Sequence, residues 1–259
     1  MDSETVVQKT LHRSSSRGGA NFGWLQSRHT FSFGNYFNAE RVHFGALRVL
    51  NDDQVAPGAG FPTHPHENME IVSIPLSGAL EHKDTTGTDG VIRTGDVQIM
   101  SAGTGIAHSE YNHSDEEPVK FLQIWVIPEK MDISPRYDQK AFRSDDRKNR
   151  FQLLVSPAAS EDTLWINQNA YFSMADLESG TTLDYKMNDA SNGLYLFLIS
   201  GKLKIGDEQL AERDGLGLIG RSEYHLEAES PATVLAIEVP VEEVDALFVS
   251  CTNYPTLAA

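Results

Sequence analysis

His64-Pro65-His66 sets two imidazoles two residues apart, and His108-Ser109-Glu110 sets an imidazole and a carboxylate at the same spacing. On a strand, residues i and i+2 project from one face, so each pair aims both of its groups the same way. The two pairs supply three nitrogens and one oxygen. That donor set suits one divalent ion: Fe(II), Ni(II), Mn(II), Co(II), Cu(II) or Zn(II). Glu70 shares the parity of His64 and His66, so it competes with Glu110 as the oxygen donor, and spacing does not choose between them. Three neutral imidazoles and one carboxylate leave a divalent ion with a net charge of about +1, enough to lower the pKa of a bound hydroxyl. Either Glu110 or Glu70 could take that proton as a general base if it lies within about 2.6–3.2 Å. Metal-assisted activation of a small molecule is the chemistry this implies. A metal closed off by four tetrahedral ligands would instead be structural.

Such side chains need strands to carry them. Helical periodicity is almost absent, and short apolar alternations lie between clusters of Gly, Pro, Asn and Asp. Val42–Leu50, Val97–Met100, Phe121–Val126 and Leu194–Ile199 are examples. The pattern predicts an all-β barrel or sandwich protein. Val241–Phe248 is the best short helix candidate. An internal repeat is visible: Ile74–Leu80 resembles Phe197–Leu203, and Arg93-Thr94-Gly95-Asp96 resembles Arg213-Asp214-Gly215-Leu216. Offsets of 123 and 120 residues indicate duplicated domains, because solenoid units run only about 20–50 residues. Nine of the fifteen residues from Arg136 to Arg150 are charged, the composition of a boundary. The expected division is residues 1–135, a connection at 136–150, and residues 151–259.

The chain of 259 residues is long enough for two such domains. Its one cysteine, Cys251, excludes an internal disulfide framework and fits a reducing compartment. The acidic, polar opening Met1-Asp2-Ser3-Glu4 leads to the expectation of no secretory leader, and no apolar run approaches the ~20 residues that span a bilayer. A cytoplasmic location is expected. Residues 1–50 carry six Lys/Arg and three Asp/Glu, or +3, which leaves −19 of the formal −16 on the remainder. So acidic a body repels nucleic acid and anionic membranes.

The N-terminal copy carries Gly58, then His64-Pro65-His66, Glu70 and Gly78. Further on come Gly95, Gly103 and Gly105-Ile106-Ala107-His108, with Asn112 four residues later. These stretches resemble the two cupin motifs, whose fold is a double-sheet jelly-roll barrel. Three longer segments resemble the pirin family and its bacterial pirin-like quercetin dioxygenases. They are Arg28–Tyr36, His64–Glu70 and Ser101–Tyr111. The resemblance covers both halves and implies a bicupin of two tandem barrels. It also implies His64, His66, His108 and Glu110 as ligands, with Glu70 behind them or lining the pocket. Iron in the N-terminal barrel follows from it as well. The implied reaction is oxygenolytic cleavage of the heterocycle of a flavonol such as quercetin, giving a depside and carbon monoxide. The substrates would be a small planar aromatic and dioxygen. Some relatives are described as regulators that bind protein partners, so a metal-dependent binding module stands as an alternative, as does another metal-cupin reaction.

In the second copy, a shift of 123 residues from His64 and His66 lands on Met187 and Asp189, and only His225-Leu226-Glu227 survives near the second motif. One metal per chain is expected. His12, His43, His82 and His113 are expected at turns or strand edges on the surface. His29 is expected in a packed strand, and Trp24, Trp125 and Trp165 in the core. Gly87-Thr88-Asp89-Gly90 reads as a hairpin loop.

Overall fold

The alternating runs become strands almost without exception in the computed structural model, which describes residues 8–241. The first half contains β1 (Gln8–His12), β2 (Gly18–Asn21), β3 (Leu25–His29), β4 (Leu47–Val55), β5 (Gly60–His66) and β6 (Glu70–Ser77). It continues with β7 (Ala79–Asp84), β8 (Asp89–Arg93), β9 (Asp96–Ser101), β10 (Ile106–Asn112), β11 (Val119–Val126) and β12 (Arg136–Ala141). The second half contains β13 (Gln152–Ser156), β14 (Leu164–Trp165), β15 (Tyr171–Leu177), β16 (Thr182–Lys186) and β17 (Asn192–Ser200). It ends with β18 (Lys202–Ile205), β19 (Glu208–Ala211), β20 (Gly215–Ile219), β21 (Glu223–Ala228) and β22 (Ala232–Pro240). Among the described residues the only helical turns are 3-10, at Ser14–Ser16 and Ser144–Arg147. The helix expected at Val241–Phe248 falls, but for Val241, outside the described residues, as does Cys251.

Two compact units form. The first holds Gly18–Phe142 with Leu164–Gln168; the second holds 8–17, Arg143–Thr163 and 169–241. This partition differs from the expected one at three places. Residues 8–17 build the second unit, because β1 pairs with β20. Residues 164–168 build the first. The charged stretch at 136–150 is no connection throughout, because β12 pairs with β9 along its whole length, from Arg136↔Ser101 to Ala141↔Asp96. Charge marks β12 as an exposed edge strand, which needs only its backbone to pair.

In the first unit one sheet runs β12-β9-β6-β11-β4-β3-β2 and the other β5-β10-β7-β8. Alternation sends every second residue inward, as in the buried Leu25, Ser27 and His29 of β3 against its exposed Gln26 and Arg28. The interior is layered. Val49, Met69, Ile71, Met100, Ile106 and Trp125 make one apolar cluster; Leu25, Val55, Leu80, Ile92, Val119 and Phe121 make another. A polar row crosses the large sheet through the pairs His29↔Asn51, Asn51↔Gln123, Gln123↔Ser73 and Ser73↔Gln98. All five of these residues are buried.

The second unit has the same plan. Its sheets run β1-β20-β17-β22-β15-β13 and β16-β21-β18-β19. β1 therefore takes, beside β20, the edge place that β12 takes beside β9. The repeat seen in the sequence is thus a repeat of topology. Its shared glycine sits at the same turn in both copies, Gly78 between β6 and β7 (φ 78°) and Gly201 between β17 and β18 (φ 91°). Both need the left-handed conformation. A Cβ at Gly78 would lie 3.2 Å from Val119 Cα, and one at Gly201 would run into the Pro231 carbonyl. The second barrel is filled by an apolar cluster that includes Leu194, Leu196, Leu216, Tyr224, Leu226 and Val234.

Candidate metal centre

Cross-strand register builds the site. His108 of β10 lies directly opposite His64 of β5, and Ile106 opposite His66. The register then slips, so that Glu110 faces Phe61. That bulge lets Phe61 and His64 both turn inward despite their odd spacing. Ligand atoms of His64, His66 and His108 all lie within 4.8 Å of one another. The ring centroids are 4.5 Å apart for His64 and His108, 4.8 Å for His64 and His66, and 4.9 Å for His66 and His108. The Trp125 ring stands edge-on to His66 at 5.0 Å, and Phe33 packs on Trp125 at 5.5 Å. Trp125 is thus both core and wall of the site.

The hydrogen bonds of these imidazoles fit a metal ion. His64 Nδ1–H donates to the Pro62 carbonyl at 2.8 Å, which leaves Nε2 as a lone pair. His108 Nε2 is buried with no hydrogen-bond partner, although an unpaired buried nitrogen is costly. Burial drives the His108 pKa down to about 2, with the charges of His64 and His82 adding to the effect and Asp84 opposing it. Burial also holds His66 well below its ordinary value, helped by His108 and His64 and opposed by Glu110. Both rings are therefore neutral near pH 7, the state a metal requires.

The two carboxylates part company. Glu110 is buried on the inner face of β10, but its oxygens lie outside the 4.8 Å group formed by the imidazoles. It accepts from Gln123 Nε2 at 2.8 Å and, more weakly, from Ser73 Oγ at 3.4 Å. Each oxygen therefore retains accepting capacity. Glu70 is buried too, yet it accepts from Ser101 Oγ at 2.8 Å and from the Asn167 N–H at 3.2 Å. Burial raises its pKa, against the pull of these two donors and of Arg136. These bonds tie Glu70 to Ser101 and to residues 164–168 of the same unit. Its parity is right, but it starts β6 beside Ser101, at the barrel end where the Asn167 segment passes.

His43 and His113 are exposed as expected, and His29 is packed beside Phe33 at 5.1 Å. His12 and His82 are buried, against expectation. His12 Nδ1 meets the Tyr195 hydroxyl at 2.8 Å in the second unit. His82 is the residue that sequence reasoning missed. It lies on β7 with its Nδ1 3.4 Å from His108 Nδ1 and its Nε2 2.9 Å from Asp84 Oδ2. The signal was present in Leu80-x-His82-x-Asp84, three inward positions on a strand following a turn glycine. In the second unit His225 and Glu227 fall on the exposed face of β21, while Tyr224, Leu226 and Ala228 face in. His225 pairs with Asp184 at 2.6 Å on that outer face. A one-residue change of parity has turned the surviving His-x-Glu away from the interior.

Two jelly-roll barrels of one topology, the first enclosing three converging imidazoles, define a bicupin. The chain belongs to the pirin family: a model of the family called Pirin matches residues 10–126, and a model called quercetinase C-terminal cupin domain matches 153–239. A protein of Escherichia coli K12 named quercetin 2,3-dioxygenase is 38% identical over 230 residues, covering 89% of this chain and 98% of that one. A pirin-like protein of Caulobacter vibrioides is 37% identical over 222 residues, covering 85% and 95%. The crystal structure of the bacterial pirin YhhW from Escherichia coli in complex with nickel(II) matches with a TM-score of 0.85 at 37% identity, covering 90% of this chain and 99% of that one. No helix among the described residues is long and apolar enough to cross a membrane.

Proposed function

We propose that this chain is a metal-dependent dioxygenase that opens the heterocyclic ring of a flavonol such as quercetin with release of carbon monoxide. The observation that carries the reading is the buried, unpartnered Nε2 of His108 facing His64 and His66 inside a barrel with a polar row on its opposite wall. The name of the Escherichia coli relative supplies the substrate class.

His64, His66 and His108 would hold the ion, with Glu110 as the oxygen donor and Fe(II) as the metal, since imidazoles with a carboxylate and open positions suit it. A divalent ion so held would supply a positive charge that lowers the pKa of a substrate hydroxyl. Glu110 takes the hydroxyl proton on a carboxylate oxygen, and Gln123 and Ser73 hold that carboxyl in place by their hydrogen bonds. Trp125 and Phe33 offer an apolar wall for a flat ring. The Gln98 amide and Asn51 Oδ1, buried with no partner, offer bonds to the ligand's hydroxyls. Burial of His108 and Glu110 limits the access of bulk water on that side of the reacting anion.

Fe(II)-loaded protein mixed with quercetin in aerated buffer should bleach the flavonol band, take up oxygen and release carbon monoxide, while His64→Ala should do none of these. A protein that holds metal yet turns over no flavonol with Fe(II), Ni(II), Co(II) or Mn(II) overturns the enzyme reading and favours a binding module. Turnover without carbon monoxide would indicate a different oxygenation.

A further inference from the structure

We propose that Asp84 and His82 are positioning residues that lock the proton of His108, forming a buried carboxylate–imidazole–imidazole chain that keeps His108 Nε2 free to bind a metal ion. The proposal rests on the metal-binding reading of the site and not on the choice of reaction.

The protons can be counted along the chain. His108 Nδ1 and His82 Nδ1 are 3.4 Å apart, and that contact needs one hydrogen between two nitrogens. If His108 donates it, His108 Nε2 carries a lone pair. His82 then keeps its own hydrogen on Nε2, which faces Asp84 Oδ2 at 2.9 Å, an atom that accepts. Every group is satisfied in that arrangement. The reverse assignment puts a hydrogen on His108 Nε2, aimed at the cluster with no acceptor there. It also sets the bare Nε2 of a neutral His82 against a carboxylate oxygen. The carboxylate at the end of the chain thus selects the tautomer of a ring one step removed from it. The partner of an imidazole's second nitrogen commonly decides which nitrogen meets a metal.

The surroundings hold the chain rigid. The side chains of His82 and Asp84 are both fully buried. The Tyr137 ring covers His82 at 4.6 Å. Asp84 Oδ1 accepts from Thr86 N at 2.8 Å, Thr86 Oγ1 at 2.6 Å and Thr88 N at 3.2 Å, which leaves Oδ2 for His82. The β7–β8 hairpin loop is wrapped around the carboxylate that ends the chain. His64, by contrast, spends its second nitrogen on a backbone carbonyl. Of these two rings, only His108 depends on side chains that substitution can change.

Asp84→Asn tests this without changing the size of the group. Its amide can donate to His82 Nε2, reverse the His82 tautomer, and thereby force the His108 proton onto Nε2. The full chain is titrated with zinc(II) against a competing chelator, and 15N shifts of the ring nitrogens identify the tautomer of His108 in the metal-free protein. The expected result is an Nδ1–H tautomer in the wild type, an Nε2–H tautomer in Asp84→Asn, and zinc affinity about 10–100-fold weaker in the variant. His82→Phe, which keeps a ring under Tyr137, should weaken zinc over the same range. Thr86→Val, which loosens the loop but leaves both residues of the chain, should weaken it far less. An Nε2–H tautomer in the wild type, or equal zinc affinity in wild type and Asp84→Asn, overturns the proposal. A Thr86→Val loss as large as that of Asp84→Asn overturns it too, by tracing the effect to the loop. A wild type that holds no zinc overturns the metal reading itself.

Discussion

Glu110 and Glu70 have the same chemistry, the same depth of burial and compatible spacing, and their neighbours separate them. Glu110 is held by Gln123 and Ser73 on the inner wall, while Glu70 is bound to Ser101 and the Asn167 N–H. Glu110→Gln should therefore release metal during dialysis, with affinity falling by at least the about 10–100-fold expected for a group behind the ligands. Glu70→Gln should retain metal like the wild type; elemental analysis of both dialysed variants checks this. Gln98 offers a second contrast. Both its amide atoms are buried without a partner, a cost of about 1–3 kcal/mol. Gln98→Met should raise the urea midpoint while raising the KM for quercetin. A variant that gains no stability, or binds flavonol as before, would show that the amide is satisfied in some other way.

Elements are positioned here by backbone pairing more than by the composition of their side chains. β12 is strongly charged and β1 is short, yet each completes an edge beside equivalent strands. β1 is pinned at its far end by Asp214, which accepts from Ser14 N at 2.7 Å, Arg13 Nη1 at 2.8 Å and Ala211 N at 3.1 Å. Asp214→Ala should cost about 1.5–3 kcal/mol in urea unfolding, the range for bonds to a charged group. Burial pushes the Asp214 pKa up, but the bonds from Ser14, Arg13 and Ala211 outweigh it and hold the carboxyl below its ordinary 3.8. The folded state thus binds this proton less readily than the unfolded one. The stabilisation is complete above pH 3.8 and disappears as pH falls through the lower folded value. Wild type and Asp214→Asn should differ at pH 6 and converge in strong acid. A gap that persists below that range would place the effect elsewhere.

At the scale of the whole molecule, the duplicated barrel has kept its topology and lost its inward donors. His64, His66 and His108 are the one group of three metal-capable side chains that converges among the described residues. Reconstituted protein should hold about one divalent ion per chain by elemental analysis. His64→Ala should abolish that binding, whereas His225→Ala should leave it unchanged, because His225 and Asp184 face outward. A second equivalent of tightly held metal, lost in His225→Ala, would contradict this. The interior of the second barrel is instead packed mainly with leucines and alanines, together with Tyr185 and Tyr224.

Strand period and glycine placement made the all-β class, the duplication and the three imidazoles legible in the amino-acid sequence. These are local properties: a period of two decides which side chains share a face, and a left-handed turn demands Gly78 and Gly201. Partners distant in the chain were not legible in the same way. No spacing rule shows that Asn167 would take Glu70, that β1 would close the edge of a barrel built mainly from residues beyond 143, or that His82 would stand behind His108. Those outcomes depend on cross-strand register, and register is settled only when the two faces of a barrel are packed together.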